Sequence, residues 1–447
     1  MTPVVVDEYQ TVKVSGLNPS ASDRELSESE ELSKRIKLRW LADGALEVTA
    51  TSHVGVVALD CVTIHIRPKL VGRELSVLRM LDYASGLSAL RYVDRLRHLP
   101  DAGHNLRDLI CLLLIIECEA LLRGGLRRDY VHREEPLPAV RGRLLADRQM
   151  LRRFGRLDRL ECRFDEFEAD ILDNQLCAAA LQLAARTVGD DAIRGRAWRA
   201  AADFTEMCTA HGFDARWAEQ RLTYHRHNEH YRQAHRWALL LLQSGGLDNL
   251  YSAGGSTART FLLDMNALFE AFATRLLSEA FHGTGVAVRA QQPLRGAVRH
   301  GDGRSYTTIT PDIQLVQGHG PGAWRRSVDA KYKLYTDRKI KPEDLYQSFS
   351  YAHALSASHV ATTPTAYIVF ASDREVPPDH VVLRRFDGSP VARITAVGLN
   401  LPGILGALGG PGLSPMLRTL RDQFGGIYPL QDDASRQGEM PLRPATS

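Results

Sequence analysis

The spacing of apolar residues changes along the chain, and this change constrains the fold more than any other feature. In the first hundred residues the spacing is that of strands. Ile64 and Ile66 alternate with polar neighbours, and two strand-like segments flank Asp43-Gly44, a pair typical of hairpin turns. From about residue 105 the apolar residues recur with a helical period. The predicted helices of this stretch are 106–122, 172–187, 192–211 and 231–242.

A multidomain α+β protein is therefore predicted. The chain has 447 residues, which is too many for one ordinary core. We expect a β-rich domain over 1–100, a helical domain over 101–250, an α/β domain over 251–430 and a disordered tail over 431–447. The Gly- and Ser-rich segment 244–256 marks the second boundary. The C-terminal domain is predicted to contain strands over 304–316, 327–332 and 366–371, and helices that begin after Asp264 and at Pro342.

The composition excludes several classes of protein. A formal net charge of only +3 argues against a histone-like chain coated in positive charge. None of the six cysteines forms a C-x-x-C pair, so neither a zinc ribbon nor a thioredoxin-like motif is expected. The N-terminus lacks the pattern of a signal peptide, and the most apolar run, 109–116, is too short to span a bilayer. We therefore expect a cytoplasmic protein without a membrane association.

Two acidic residues and a lysine form a pattern that predicts a metal site. Asp312 and Asp329 lie on two predicted strands joined by a Gly- and Pro-rich turn, so the two carboxylates are expected to lie close together. Lys331 is two residues from Asp329 and therefore shares its face of the strand. Gathering such charges is costly unless a cation compensates them, and Mg²⁺ prefers oxygen ligands of this kind. Such a site could hydrolyse a phosphodiester, because the metal lowers the pKa of a bound water and the lysine orients that water.

The order of these motifs resembles a known group of nucleases. Pro311-Asp312 and Asp329-Ala330-Lys331 are similar to the signature of the PD-(D/E)xK restriction-endonuclease-like superfamily. Glu270 on the preceding predicted helix, and Gln347 with Tyr351 on the following one, occupy positions that these nucleases also use. Further motifs resemble the McrC family, the nuclease subunits of McrBC-type, modification-dependent restriction systems, over about residues 60 to 400. These motifs are Ile64-His65-Ile66-Arg67-Pro68-Lys69, Met80-Leu81-Asp82-Tyr83-Ala84, Arg141-Gly142-Arg143-Leu144 and Asp173-Asn174-Gln175-Leu176.

This resemblance implies a mechanism and a partner. The residues expected to bind Mg²⁺, for which Mn²⁺ can substitute, are Asp312, Asp329, Ala330 through its carbonyl, and Glu270. Lys331 is expected to position the attacking water and Gln347 to support the site, whereas Tyr351 is expected to pack. The expected partner is a McrB-like AAA+ GTPase hexamer that recognises DNA containing modified cytosine. The McrC-like subunit docks on it through its N-terminal part and stimulates nucleotide hydrolysis. The sequence itself contains no G-x-x-x-x-G-K-[ST] motif.

Several alternatives stay open at this point. The chain could be a non-catalytic adaptor that activates an AAA+ partner, or a stand-alone repair-type nuclease. Asp329 and Lys331 could form a simple surface ion pair. Four histidines between 225 and 235 indicate a zinc site or a polar helix face. Arg141-Gly142-Arg143 could contact phosphate or the partner, or form a turn fixed by Gly142. Five arginines between 148 and 159 could face DNA or the partner, or form a solvated helix face.

Overall fold

The computed structural model forms two compact units, Met1–Phe272 and Ala273–Ser447. It describes residues 3–69, 74–85, 105–209, 214–244, 260–318, 323–333, 340–356 and 363–425. Most of the predicted Gly- and Ser-rich boundary and the whole predicted disordered tail lie outside the described residues. The division into three domains stays a prediction. In the described part of the chain, no helix is long and apolar enough to cross a membrane.

The first unit begins with the β-rich segment that the strand-like spacing predicts. Its helices and strands, in chain order, are β1 (Val4–Asp7), β2 (Thr11–Val14), α1 (Ala21–Glu28), α2 (Glu30–Ser33), β3 (Ile36–Trp40), β4 (Leu46–Ala50), β5 (His53–Ala58), β6 (Thr63–Arg67) and α3 (Glu74–Ser85). The predicted hairpin around Gly44 is confirmed, because β3 and β4 pair antiparallel and this glycine has φ +77°. Ile64 and Ile66 are buried in the core, as their alternation indicates.

Helices dominate the next segment of the first unit. They are α4 (Leu106–Gly124), α5 (Ala146–Arg153), α6 (Leu172–Thr187), α7 (Asp191–Thr205), α8 (Ala215–Arg221) and α9 (Arg232–Ser244), the last preceded by a 3₁₀ turn (Glu229–Tyr231). All four helices predicted from periodicity are present, although the third ends at Thr205. Strand β10 (Thr260–Asp264) then pairs antiparallel with β5, so the sheet order is β1-β6-β5-β10. A second sheet of the β-rich segment has the order β2-β4-β3.

Helices predominate in this middle segment, but it is not helical throughout. It also contains β7 (Asp129–Leu137), β8 (Arg143–Leu144) and β9 (Leu160–Glu168), which form a three-stranded sheet in the order β7-β9-β8. The long strands carry mostly exposed or half-buried side chains, many of them charged, and ion pairs such as Arg133–Glu168 and Arg163–Glu134 join them. Strand β7 lacks the alternation of apolar and polar residues that marks a half-buried strand, so periodicity does not detect it. Strand β9 does alternate Leu160, Cys162 and Phe164 with charged residues, a strand signal that the prediction of helices did not use.

The second unit is built on a six-stranded mixed sheet with the order β11-β14-β15-β16-β18-β17. Helix α10 (Met265–Ala280) contains the boundary between the units, and Asp264 caps it by accepting a hydrogen bond from the Asn266 N–H at 2.9 Å. The remaining elements are β11 (Val286–Ala290), β12 (Leu294–Arg299), β13 (Ser305–Ile309), β14 (Ile313–Gln317), β15 (Trp324–Lys331), α11 (Pro342–Leu355), β16 (Thr365–Ser372), β17 (Asp379–Arg384), β18 (Pro390–Asn400), α12 (Leu401–Ala407) and α13 (Leu413–Gly425).

One predicted strand of this unit, 304–316, is two strands in different sheets. β13 pairs with β12 in a separate two-stranded hairpin, whereas β14 joins the large sheet. The break falls at Thr310-Pro311-Asp312, where the proline has no N–H to contribute to a strand ladder. The predicted strand 366–371 and the helix that begins at Pro342 are both confirmed.

Helices pack on both faces of the large sheet. On one face, Ala352 of α11 packs in a core with Ile368 and Ile394. On the other face, the Tyr367 hydroxyl donates a hydrogen bond to the carbonyl oxygen of Phe424 in α13, at 2.9 Å. Neighbouring strand residues such as Tyr367 and Ile368 point to opposite faces, so both faces of β16 are covered. The predicted multidomain α+β class is confirmed at this level, and the PD-(D/E)xK assignment of the fold stays a prediction.

Candidate active site

The turn between β14 and β15 brings two predicted site residues together. These strands pair antiparallel, with Ile313 opposite Val328. Asp312 directly precedes β14 and therefore lies beside Asp329. Its Oδ2 accepts a hydrogen bond from the Ala330 N–H at 2.8 Å. Because the N–H and C=O of one strand residue point to the same side, the Ala330 carbonyl also faces the side of Asp312.

Asp329 lies in an environment that disfavours its ionised form. Its relative exposure is 1 %. Lys331 Nζ lies 2.7 Å from Oδ2 in an ion-pair contact, whereas Oδ1 has no hydrogen-bond partner among the described residues. Burial, and then the charge of Asp312, raise the pKa of Asp329 to about 7 in spite of the lysine. Asp329 and Lys331 do form an ion pair on the strand, but the alternative that it lies at the surface is wrong because Asp329 is buried.

A third carboxylate, which was not predicted as a site residue, belongs to the same cluster. Asp344 is buried in the first turn of α11, and its carboxylate lies 3.8 Å from Lys331 Nζ and 3.6 Å from Lys333 Nζ. Burial lowers the pKa of Lys331, but its contact with Asp329 outweighs this effect, and the pKa is raised. The sequence does carry a signal for Asp344, because it is three residues from Gln347 and so on the same side of the helix.

Gln347 and Tyr351 connect α11 to the segment that carries Asp312. The Gln347 side-chain amide donates a hydrogen bond to the Tyr351 hydroxyl at 2.9 Å. That hydroxyl donates in turn to the Thr310 carbonyl at 3.5 Å, two residues before Asp312. Tyr351 is buried and Gln347 is exposed. Tyr351 thus links Gln347 to the segment that carries Asp312, and the expectation that Tyr351 packs agrees with its burial.

Glu270, the remaining predicted site residue, belongs to the first unit. It is half-buried on α10, beside the buried Phe269 and Phe272. Asp312, Asp329, Lys331 and Gln347 all belong to the second unit. The structure thus brings four of the five predicted catalytic residues into one unit, and the role of Glu270 stays a prediction.

The second-unit cluster offers oxygen atoms of the kind that Mg²⁺ prefers. Within the described ranges, no group of three or more His, Cys, Asp or Glu side chains is arranged to hold a metal ion. Mg²⁺ commonly binds through one or two carboxylates and completes its shell with water and phosphate. The free Oδ1 of Asp329 and the raised pKa of that carboxyl are the features that a bound cation would relieve. Asp312, Asp329 and the Ala330 carbonyl supply oxygen ligands of the required kind.

The histidine motif that could have indicated zinc does not form such a site. Both ring nitrogens of the buried His235 are occupied, Nδ1 by the Tyr224 hydroxyl at 3.1 Å and Nε2 by the Asp173 carbonyl at 3.0 Å. His225 and His227 are exposed and precede the 3₁₀ turn rather than lying on a helix. The alternative of a polar helix face is therefore only partly correct.

Two basic motifs of the first unit have structural roles. Gly142 has φ +67°, and a Cβ atom there would lie 2.3 Å from the Arg163 carbonyl, so this glycine holds a turn against β9. Arg141 stacks over the Phe164 ring at 4.2 Å. In the arginine run between 148 and 159, three members form ion pairs: Arg148 with Glu134, Arg153 with Glu161 and Arg156 with Asp158. The positive φ and the close contact of Gly142 therefore support the interpretation of Arg141-Gly142-Arg143 as a turn.

The fold and the site together define a multidomain α+β protein whose second unit holds a cluster of three acidic residues around Lys331, with Asp329 and Asp344 buried. Over residues 48–363, more than half of its length, the chain matches the family described as McrBC 5-methylcytosine restriction system component. The chain belongs to this family, which confirms the resemblance seen in its motifs. None of the curated proteins matches it closely enough to identify a relative.

One solved structure supports a shared fold. One matching chain comes from the refined half-complex of the tetradecameric assembly of Thermococcus gammatolerans McrB AAA+ hexamers with bound McrC. It has 20% sequence identity and a TM-score of 0.61, and the match covers 94% of this chain and 100% of that one. A second comes from the cryo-EM structure of the Thermococcus gammatolerans McrBC complex, with 21% identity, a TM-score of 0.44, and coverage of 63% and 88% respectively. The first of these shows that the fold extends over nearly the whole chain.

Proposed function

We propose that this chain is the Mg²⁺-dependent DNA endonuclease subunit of a modification-dependent restriction complex. The observation that carries the proposal is the buried carboxylate of Asp329, held beside Asp312 and Lys331 with one oxygen free. Burying a charge without full compensation is costly, so its presence favours a role in binding a cation. The resemblance of Pro311-Asp312 and Asp329-Ala330-Lys331 to the PD-(D/E)xK signature also supports the nuclease proposal.

Each residue of the cluster has a distinct proposed role. Asp312, Asp329 and the Ala330 carbonyl would hold Mg²⁺. When bound, this ion would neutralise charge on a DNA phosphate and lower the pKa of a water molecule. Lys331 presents a compact ammonium that can orient this water and stabilise the negative charge that develops on the phosphate. Asp344 keeps Lys331 and Lys333 beside the site, because its carboxylate faces both ammonium groups.

We also propose that the first unit docks on an AAA+ GTPase hexamer. The connection between β7 and β9 carries an unusual group of exposed apolar side chains, of which Leu151 is 86 %, Phe154 81 % and Leu157 79 % exposed. Exposed apolar groups of this kind mark interaction surfaces. The docking domain expected over residues 1–100 stays a prediction, and we propose that this connection also belongs to the docking surface. The structural neighbour contains McrB AAA+ hexamers with bound McrC, which supports a partner of this class. Recognition of modified cytosine is assigned to the partner.

A plasmid cleavage assay with Mg²⁺ tests the nuclease and separates it from the two alternatives. The full chain is assayed with and without the AAA+ partner and GTP, on DNA with and without modified cytosine. We expect cleavage only when partner, GTP and modified DNA are all present. Asp329→Ala should abolish cleavage while it leaves stimulation of the partner's GTPase intact, and the exposed Asp387→Ala in the same unit serves as the control.

The other outcomes of this assay are equally informative. Vigorous cutting of unmodified plasmid by the chain alone would favour a stand-alone nuclease. GTPase stimulation without cleavage under any condition would favour a non-catalytic adaptor. Full cleavage by the Asp329 variant would show that the active site lies elsewhere.

A further inference from the structure

A small two-stranded hairpin lies in the chain directly before Asp312 of the candidate active site. It consists of β12 and β13 and connects β11 to the segment that carries Asp312. Two hydrogen bonds hold its base. The Gln291 N–H donates to the Asp312 carbonyl at 2.9 Å, and the Gln314 side-chain amide donates to the Gln292 carbonyl at 2.7 Å. The position of the hairpin is therefore coupled to that of Asp312.

The hairpin and the strand before it are basic, although the whole chain is nearly balanced. Residues 284–309 contain four arginines and a single acidic residue, whereas the chain has 56 basic and 53 acidic residues. Arg304 pairs with that acid, Asp302, at 2.7 Å, and Arg299 donates to backbone carbonyls of the hairpin. Arg289 and Arg295 are exposed, and neither forms an ion pair with any acidic residue that the structure describes.

The sheet register places Arg289 on the face of the candidate site. Arg289 lies opposite Gln314, and Gln314 lies opposite Ser327, two residues before Asp329. Residues that are paired across strands or two apart along one strand share a face, so Arg289 and Asp329 lie on the same side. From strand spacing and rise, their Cα atoms are about 12 Å apart. That distance corresponds to about three to four base pairs along B-DNA.

We propose that Arg289 and Arg295 bind the DNA backbone on one side of the scissile phosphate. This inference rests on the proposed nuclease function and names the surface that holds its substrate. Exposed guanidinium groups without acidic partners fit phosphate, and contacts to phosphate position a duplex without reading its sequence. The chain thus contributes the general DNA contacts, which orient the backbone across β11 toward Asp312 and Asp329.

The salt dependence of DNA binding tests this assignment. Binding of the full chain to a fluorescent unmodified duplex is measured by anisotropy, without divalent metal, from about 50 to about 200 mM NaCl. Each of Arg289→Ala and Arg295→Ala should reduce the slope of log K against log salt by about 1, and the double variant by about 2. A duplex containing 5-methylcytosine should show the same reductions. Arg289→Lys should keep the slope, because it retains the charge.

A matched control exists on the same sheet. Arg384 is exposed on β17, the edge strand opposite β11, so Arg384→Ala removes the same charge far from the hairpin. For Arg384→Ala, the slope of log K against log salt should equal that of the wild-type chain. An unchanged slope in the double variant, an equal loss in the control, or no salt-dependent binding by the wild-type chain would each overturn the assignment.

The failure of this inference can be told apart from failure of the nuclease proposal. Asp329→Ala should abolish cleavage and keep the wild-type salt slope, whereas the double arginine variant should keep any thermal shift caused by Mg²⁺. If Asp329→Ala still cuts, the nuclease site is wrong and the backbone-binding result stands. If Asp329→Ala is inactive but the arginine variants bind normally, only the backbone-binding surface is wrong.

Discussion

Replacing Asp329 by asparagine should stabilise the metal-free protein, because it removes a buried charge that the fold does not fully compensate. The carboxylate is 1 % exposed, has one oxygen without a partner and lies beside Asp312. The amide of asparagine has nearly the same shape and no charge. A residue retained for metal binding rather than for packing is expected to respond in this way.

The size of the effect follows from the pKa of Asp329. This pKa is raised from 3.8 to about 7, so the unfolded chain loses its proton at a lower pH than the folded protein does. The loss of folding free energy caused by the charged Asp329 is therefore absent below about pH 4. It grows by about 1.4 kcal/mol per pH unit up to about pH 7 and is constant above that pH. It amounts to about 4 kcal/mol at about pH 8. An amide left without hydrogen-bond partners costs about 1 to 3 kcal/mol, which leaves a net gain of about 1 to 3 kcal/mol.

Thermal unfolding of the full chain in EDTA measures this gain. For a unit of this size, we expect Asp329→Asn to raise the melting temperature by about 5 °C at about pH 8 and to have little effect at about pH 5. Mg²⁺ should stabilise the wild-type chain and not the variant. Asp387→Asn is the control, because Asp387 is exposed and hydrogen bonds from Ser389 lower its pKa, so no rise is expected. A variant that melts below the wild type in EDTA at about pH 8 would refute the reasoning.

Three further predictions concern the lysine, the turn at Gly142 and the exposed apolar connection. Lys331→Ala should lower plasmid cleavage by about 100-fold or more while it keeps the thermal shift caused by Mg²⁺, and near-normal cleavage would contradict its role. Gly142→Ala should lower the free energy of unfolding in urea by about 1 to 3 kcal/mol, because its Cβ would meet the Arg163 carbonyl at 2.3 Å. Gly155→Ala, also at positive φ but with open space, should cost less, and equal losses would contradict the contact. Phe154→Asp should leave the melting temperature unchanged and reduce stimulation of the partner's GTPase by about tenfold or more, and unchanged stimulation would exclude this docking surface.

Local patterns in the sequence determined most of the elements that carry the candidate site. A short connection between two strands favours antiparallel pairing, so Asp312 and Asp329 meet for reasons that lie within one short segment. The two-residue period places Lys331 on the face of Asp329 in the same way. Pro342 and the acidic residues after it favour the start of α11, because proline suits the first turn and carboxylates suit the N-terminal end of the helix dipole. These features depend on neighbours in sequence, which periodicity and turn chemistry describe well.

Only the tertiary structure decided how these residues interact. Asp344 joins the cluster because α11 packs on the sheet, and the pKa of Asp329 rises because burial removes it from water. Strand β7 is joined to β9 by cross-strand ion pairs and has no regular apolar alternation, so its own sequence carries no strand signal. Likewise, the strand predicted over 304–316 divides between two sheets at Pro311. Burial, ion pairing and sheet membership depend on residues far apart in sequence, and their energies are set only when the chain has packed.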